Sequence, residues 1–234
     1  MPPSSQALSP NPTCPTWAGF FPSSVVTVTQ AELADTPALM PEERSFVARA
    51  VPARVLEFTT GRSCARAALA HLGCPPVAIA VGEQREPLWP PGFIGSITHC
   101  KGHCAAAVAR WEPGTANAIA GLGLDAEPAR PLPEDVARMV CSDSEREWIE
   151  QHRYDGLPWD RLVFSAKESV FKCIFPITRH FLDFHDVELV FVGERSFHIR
   201  ATSLPEASMH VRGSHAFREG FILTSAMWLV AGQD

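Results

Sequence analysis

Asp125 and Glu127 stand two residues apart at the end of an apolar run, and Glu168 follows much later, four residues ahead of Lys172. On a strand, that first spacing sends both acidic side chains to one side. Mg2+ prefers such oxygen ligands; it takes one or two carboxylates and fills its remaining positions with water and substrate phosphate. Lysines add compact positive charge for phosphate oxygens. Lys101, Lys167 and Lys172 are the only lysines in the chain, and the last two flank Glu168. Taken singly, Glu168 and Lys172 would be a solvated i, i+4 pair worth a few tenths of a kcal/mol. Asp125 and Glu127 would likewise be a wet strand end. Together, carboxylates for a divalent ion and ammonium groups for phosphates fit a site that breaks a phosphoanhydride.

Two elements must bring these groups together. Residues 159–176, WDRLVFSAKESVFKCIFP, read as a helix from about Asp160, its cap, to Pro176, its stop. Val163, Phe164, Val170, Phe171 and Ile174 form one stripe, while Ser165, Glu168, Ser169 and Lys172 form a second, polar one. Lys167 falls among the apolar residues, where an ammonium must reach water or meet an anion. Upstream, AIAGLGLDAEP (118–128) reads as a strand covered on both faces as far as Leu124, with the acidic pair at its end.

The remaining chain supplies more helices and strands. Residues 41–73 predict two helices or one bent helix, opened by Pro41 and stopped by Gly73. Residues 96–99 and 105–110 predict two strands joined around Lys101-Gly102. Ser142 to Glu145 is a capping box that starts a helix running to about Gln151. Beyond 176, VELVFV, SFHIRA, MHVRG and AFREGFILTSAMWLV predict strands. Helix then strands, twice over, predicts an α+β fold of two pseudo-symmetric α/β halves packed together, with the active site at their interface. The expected divisions are an N-terminal arm at 1–15, an N-terminal half at 16–114 and a C-terminal half at 115–234.

Composition narrows the class. A hydrophobic content of 46% with 20% charged residues describes a globular chain with ample core. No uncharged apolar run reaches the ~18–20 residues of a membrane helix, and MPPSSQALSPNPTCPTW lacks the basic start and apolar centre of a secretory signal. A cytoplasmic protein is expected, away from membranes. Seven scattered cysteines, an odd number, suit reduced thiols used as small hydrophobes. A formal charge of −6 excludes general nucleic-acid binding, which needs a basic surface.

Gly-Leu-Asp-Ala-Glu at 123–127, followed by Phe-Ser-Ala-Lys-Glu-Ser-Val-Phe-Lys at 164–172, resembles the paired signature of the 4′-phosphopantetheinyl transferases. The likeness is to the longer, monomeric type that activates synthetases of siderophores, peptides and polyketides, in its actinobacterial and enterobactin-associated branch. It extends to Arg54, Glu57-Phe58, Gly61–Arg66, Trp89-Pro90 and Gly95–His99, and so covers roughly residues 40–185. The resemblance implies transfer of the phosphopantetheine arm of coenzyme A to a serine of an apo carrier protein, with release of adenosine 3′,5′-bisphosphate. It implies Mg2+, with Mn2+ as the alternative ion, held by Asp125, Glu127 and Glu168 with the main-chain carbonyl of Ala126. Glu168 would take the serine proton, Lys172 would stabilise the pyrophosphate, and Lys167 would be a second phosphate contact. Arg54, Arg62, Thr98 and His99 would grip the 3′-phosphate and pyrophosphate. Some relatives carry lysines just before the Trp-Pro; here Val81-Gly82-Glu83-Gln84 stands there, and Arg85 is the substitute cation.

Two other functions are weighed against this one. His99, Cys100, His103 and Cys104 are all zinc-ligand types and would serve a metallohydrolase, although a hairpin turn divides them between strands. A non-catalytic binder of carrier proteins or coenzyme A would have no use for the ion ligands. Carriers of this kind are acidic, so arginines should meet them; Arg138, Met139, Arg146 and Trp148 are the expected docking residues.

Overall fold

A computed structural model describes residues 14–31, 38–115 and 118–230. Its strands are β1 (Val25–Gln30), β2 (Ala80–Val81), β3 (Pro87–Leu88), β4 (Phe93–Cys100), β5 (His103–Arg110), β6 (Ile119–Pro128), β7 (Val187–Val192), β8 (Ser196–Ala201), β9 (Val211–Arg218) and β10 (Phe221–Leu229). Its helices are α1 (Pro41–Arg44), α2 (Pro52–His71), α3 (Glu134–Val140), α4 (Asp143–His152), α5 (Trp159–Thr178) and α6 (Pro205–His210). The fold is α+β, as expected. A three-stranded sheet of order β1-β5-β4 carries α2, and a five-stranded sheet of order β6-β10-β9-β8-β7 carries α5; β2 and β3 form a separate two-stranded hairpin. No helix among the described residues is long and apolar enough to cross a membrane.

Strand β5 shows how pattern becomes layering. Ala106 and Val108 turn toward α2, where Cys64, Ala65, Ala68 and Leu69 meet them. The alternate residues Ala105, Ala107 and Ala109 turn toward Leu122, Leu124 and Leu223 of the larger sheet. Small side chains on both faces let a helix and a second sheet approach the same strand. The two sheets are then joined by hydroxyls: the Leu124 N–H donates to Ser96 Oγ at 3.2 Å and the Ala126 N–H to Thr98 Oγ1 at 3.1 Å.

On the other side of β6, glycines set the spacing to α5. A Cβ on Gly123 would lie 1.8 Å from the Ser169 carbonyl oxygen, and one on Gly121 would lie 2.4 Å from that of Cys173. Both obstacles are helix backbone and cannot swing away.

Several elements differ from expectation. Each sheet region opens on a strand; β1 precedes α2, and its β-branched run VVTVT pairs along β5. VRG of the first segment and AFR of the second belong to one strand, β9, whereas Met209 and His210 end the short helix α6, opened by Pro205. Helix α5 runs two residues past Pro176, which removes only the bond its own N–H would have given to the Lys172 carbonyl. Asp160 lies inside α5 and accepts the Leu132 N–H at 2.8 Å instead of capping the helix. The Ser142–Glu145 capping box is present, with the Ser142 N–H donating to Glu145 Oε2 at 2.8 Å. Of the arm expected at 1–15, residues 1–13 lie outside the described residues, while Cys14 lies against His103, 3.3 Å from Nδ1.

Two predictions follow from this packing. Gly123→Ala should destabilise the protein by about 3 kcal/mol or leave it insoluble, because overpacking here meets backbone; urea unfolding measures it. His103 and His215 are buried, and burial pushes both down to about 4, so the folded protein holds them neutral. The unfolded chain binds protons near the ordinary 6.5, so stability should fall as pH drops from about 6.5 to 4, by up to ~3 kcal/mol for each histidine. The His103 ring sits 5.4 Å from Phe221, and its Nε2 is buried without a partner. His103→Phe should therefore remove about half of that acid loss, read from unfolding curves at pH 7 and pH 4.5.

Candidate active site

Asp125, at the end of β6, is the point of convergence. Thr98 Oγ1 donates to its Oδ1 at 3.1 Å, Ser165 Oγ to its Oδ2 at 2.9 Å, and Lys172 Nζ to its Oδ1 at 2.6 Å. These donors come from β4 and from two turns of α5, so one carboxylate ties both sheets to the helix. Burial alone would lower the Lys172 ammonium, but Asp125 and Glu168 outweigh it and hold it above its usual range. Lys172 stays charged at neutral pH.

A cavity of about 740 Å3 opens over this cluster. Asp125, Glu127, Glu168 and Lys172 line one part of its wall; Arg54, Arg62, Arg85, Thr98 and His99 line another. Of the expected site residues, the structure thus brings nine to a single cavity. Arg54 Nη1 meets His99 Nε2 and also Glu57 Oε2, at 3.2 Å. Burial first, then Arg54, pushes the His99 imidazole down, so it is neutral and accepts from the guanidinium. Arg62 is 5% exposed; its Nε donates to the Ile79 carbonyl at 2.9 Å and its guanidinium lies 4.4 Å from the Phe58 ring centre. Burial lowers it to about 10, so it too remains a cation.

Two expected residues lie elsewhere. Ala126 is fully buried with its N–H given to Thr98, and it is absent from the cavity wall. Lys167 points away from the phosphate side: Nζ pairs with Glu145 Oε2 at 2.7 Å and donates to the carbonyls of Val140 at 2.9 Å and Phe184 at 2.7 Å. Both side chains of that pair are 2% exposed. The requirement that its ammonium meet an anion is satisfied inside the core, and that commitment leaves nothing for a phosphate. Arg161, unforeseen in the sequence, donates to Glu127 Oε2 at 2.8 Å. Its place one turn ahead of Ser165 on α5 was a signal that could have been used.

The carboxylates suit a hard cation. Burial first, then Asp125, raises both Glu127 and Glu168, although Arg161 and Lys172 oppose this. Crowded, partly desolvated carboxyls are what a divalent ion between them would relieve. Among the described residues no three His, Cys, Asp or Glu side chains come together closely enough to hold a metal ion as they stand. Asp125 and Glu127 are instead held by Lys172 and Arg161. As for zinc, the β4–β5 register pairs His99 with Cys104 and Cys100 with His103. Cys104 packs on the α2 side and Cys100 on the large-sheet side, so the four side chains divide between opposite faces.

A second cavity, about 300 Å3, adjoins the first at Glu168 and Phe171. Met139, Phe181, Leu182 and Phe184 make it mainly apolar. Of the expected docking residues, Arg138 and Met139 on α3 are exposed. Arg146 on α4 is exposed too; it pairs with Asp143 as Arg138 pairs with Glu134. Trp148 is taken into an aromatic stack, 4.3 Å from Phe191 and 4.0 Å from His152 between ring centres.

A cationic wall facing a carboxylate–lysine cluster defines a site for a multiply phosphorylated substrate cleaved at an anhydride. Comparison with known proteins agrees. Residues 42–109 match the model of the 4′-phosphopantetheinyl transferase N-terminal domain, and residues 121–225 match that of the 4′-phosphopantetheinyl transferase superfamily. The chain is similar to 4′-phosphopantetheinyl transferase Svp of Streptomyces mobaraensis, with 48% identity over 75% of this chain and 68% of that one. It is also similar to PptT of Mycobacterium tuberculosis, with 40% identity over 74% of this chain and 76% of the other. For Npt of Nocardia iowensis the identity is 42%, over 70% and 72% respectively. The chain belongs to the 4′-phosphopantetheinyl transferase superfamily. Its members move the phosphopantetheine of coenzyme A onto carrier proteins, and this chain is such an enzyme.

The Lys167 geometry gives a prediction. Lys167→Met should cost about 3–5 kcal/mol by stranding Glu145, whereas coenzyme A affinity of the folded fraction stays within about twofold. Combining it with Glu145→Gln, which removes the stranded charge and keeps an oxygen for the Leu189 N–H, should recover part of the stability. Chemical denaturation and calorimetric titration check the two halves of this expectation.

Proposed function

We propose that Asp125, Glu127 and Glu168 hold the divalent ion, Mg2+ or Mn2+, against the coenzyme A pyrophosphate. When bound, the ion would neutralise charge that builds on the anhydride oxygens. Arg54, Arg62 and His99, with Thr98 beside them, receive the 3′-phosphate and pyrophosphate, and Arg85 stands at the nucleotide end. The adjoining apolar cavity suits the pantetheine arm, which leaves the pyrophosphate at Glu168 and Phe171. Glu168 accepts the proton of the carrier serine as its Oγ bonds to the phosphorus bearing pantetheine. The bridging P–O bond breaks and adenosine 3′,5′-bisphosphate leaves, its new charge met by Lys172. Arg138, Met139 and Arg146, all exposed, are the docking residues retained for an acidic carrier, with the enzyme acting as a monomer.

The observation that carries these roles is the shared wall: Lys172 meets Asp125 at 2.6 Å in a cavity that Glu127, Glu168, Arg54, Arg62 and Arg85 also line. Intact-mass measurement of an apo carrier, incubated with the enzyme, coenzyme A and magnesium, should show the gain of one phosphopantetheine group. Glu168→Ala should keep detectable coenzyme A binding and lose at least ~10²-fold in transfer rate. Near-normal transfer by that variant would remove Glu168 from the chemistry.

A further inference from the structure

The β2–β3 hairpin is a small sheet by itself, with two residues in each strand. Its base is fixed: Ile79 donates its N–H to Glu43 Oε1 at 3.0 Å, and its carbonyl accepts from Arg62. The tip is closed by backbone bonds between Gly82 and Glu86 at 2.8 Å and between Arg85 and Gly82 at 3.1 Å. Arg85 holds a φ of +67°, a left-handed conformation uncommon for a residue with a side chain. Gln84, Arg85 and Glu86 face the main cavity from this tip, while Phe175 and Pro176 face it from the end of α5.

One ion pair spans that opening. Glu86 Oε1 meets Nη1 of Arg179, the residue that ends α5 at a φ of +56°. Among the described residues it is the only ion pair that links the small-sheet side of the molecule to the large-sheet side. The Glu86 side chain is 8% exposed and also accepts the Gln84 N–H at 3.0 Å, so the carboxylate shapes the tip that it tethers. Burial would raise this carboxyl, but its own backbone N–H, Arg179 and Gln84 together hold it below its usual range. Gly82 is part of the same arrangement, since a Cβ there would lie 2.2 Å from the Glu86 carboxyl carbon.

We propose that Glu86 and Arg179 are positioning residues that latch the 80–88 hairpin across the cavity, setting Arg85 over the nucleotide end of coenzyme A. This rests on the cavity holding coenzyme A as described above. Neither residue touches the reacting atoms, so the latch acts on coenzyme A affinity and leaves the chemical step alone.

The test measures coenzyme A binding by calorimetry, and kcat with KM for both substrates, in the wild type, Glu86→Gln, Arg179→Met, Gly82→Ala and Arg179→Lys. Each of the first three variants should raise Kd and KM for coenzyme A about fivefold, with kcat and carrier KM within twofold of wild type. Arg179→Lys, which keeps a cation for Glu86, should lose less affinity than Arg179→Met. Because Arg179 is 59% exposed, 0.5 M salt should weaken wild-type coenzyme A binding more than that of Arg179→Met. An unchanged KM in Arg179→Met overturns the latch, and so does a Glu86→Gln that binds as the wild type does beside an impaired Arg179→Met, which would mean that Arg179 meets coenzyme A directly. If the wild type itself neither binds coenzyme A nor modifies a carrier, the assignment of the cavity fails and the latch fails with it.

Discussion

The closeness of α5 to β6 is the constraint from which the active site follows. Gly121 and Gly123 present bare backbone to the carbonyls of Cys173 and Ser169, and no other side chain fits there. At that separation, Asp125 at the strand's end reaches both Ser165 and Lys172, which lie two turns apart on one helix face. The glycines therefore act on chemistry that they do not touch. A helix displaced by one methyl group would take Glu168 and Lys172 away from Asp125 together.

A second theme is buried charge used for anchoring. Glu145 caps α4, accepts the Leu189 N–H at 2.9 Å and pairs with Lys167. In the smaller-sheet region Glu43 does comparable work: it pairs with Arg66 at 2.6 Å and accepts the N–H groups of Met40 and Ile79, both at 3.0 Å. Each glutamate thus binds a short helix, a 20-residue helix and the start of an extended segment. Such pairs are weak sources of net stability, because desolvation offsets most of their attraction. Their value here is directional, since a buried carboxylate with several fixed donors has few alternative positions.

Much of this was legible in the sequence, and the limits have physical causes. Asp125, Glu168 and Lys172 could be read because strand period, helix period and ligand chemistry each restrict them independently. The direction of Lys167 could not, since its partner Glu145 is 22 positions away in a different helix and looked fully employed as a cap. Strand β1 was passed over although its β-branched alternation was visible, while α6 is six residues long and too short for any periodicity to emerge. Asp160 resembles an N-cap by type and place, yet the Leu132 N–H claims it. Local signals fail where a long-range partner offers a fully buried or better aligned bond.

Thr98 carries a consequence of its own. Its single hydroxyl receives the Ala126 N–H from the neighbouring sheet and passes its proton to Asp125. A sliding displacement of one sheet along the other would therefore be registered at the Asp125 carboxylate. The seam between the sheets and the proposed ion ligand are thus joined through one oxygen atom.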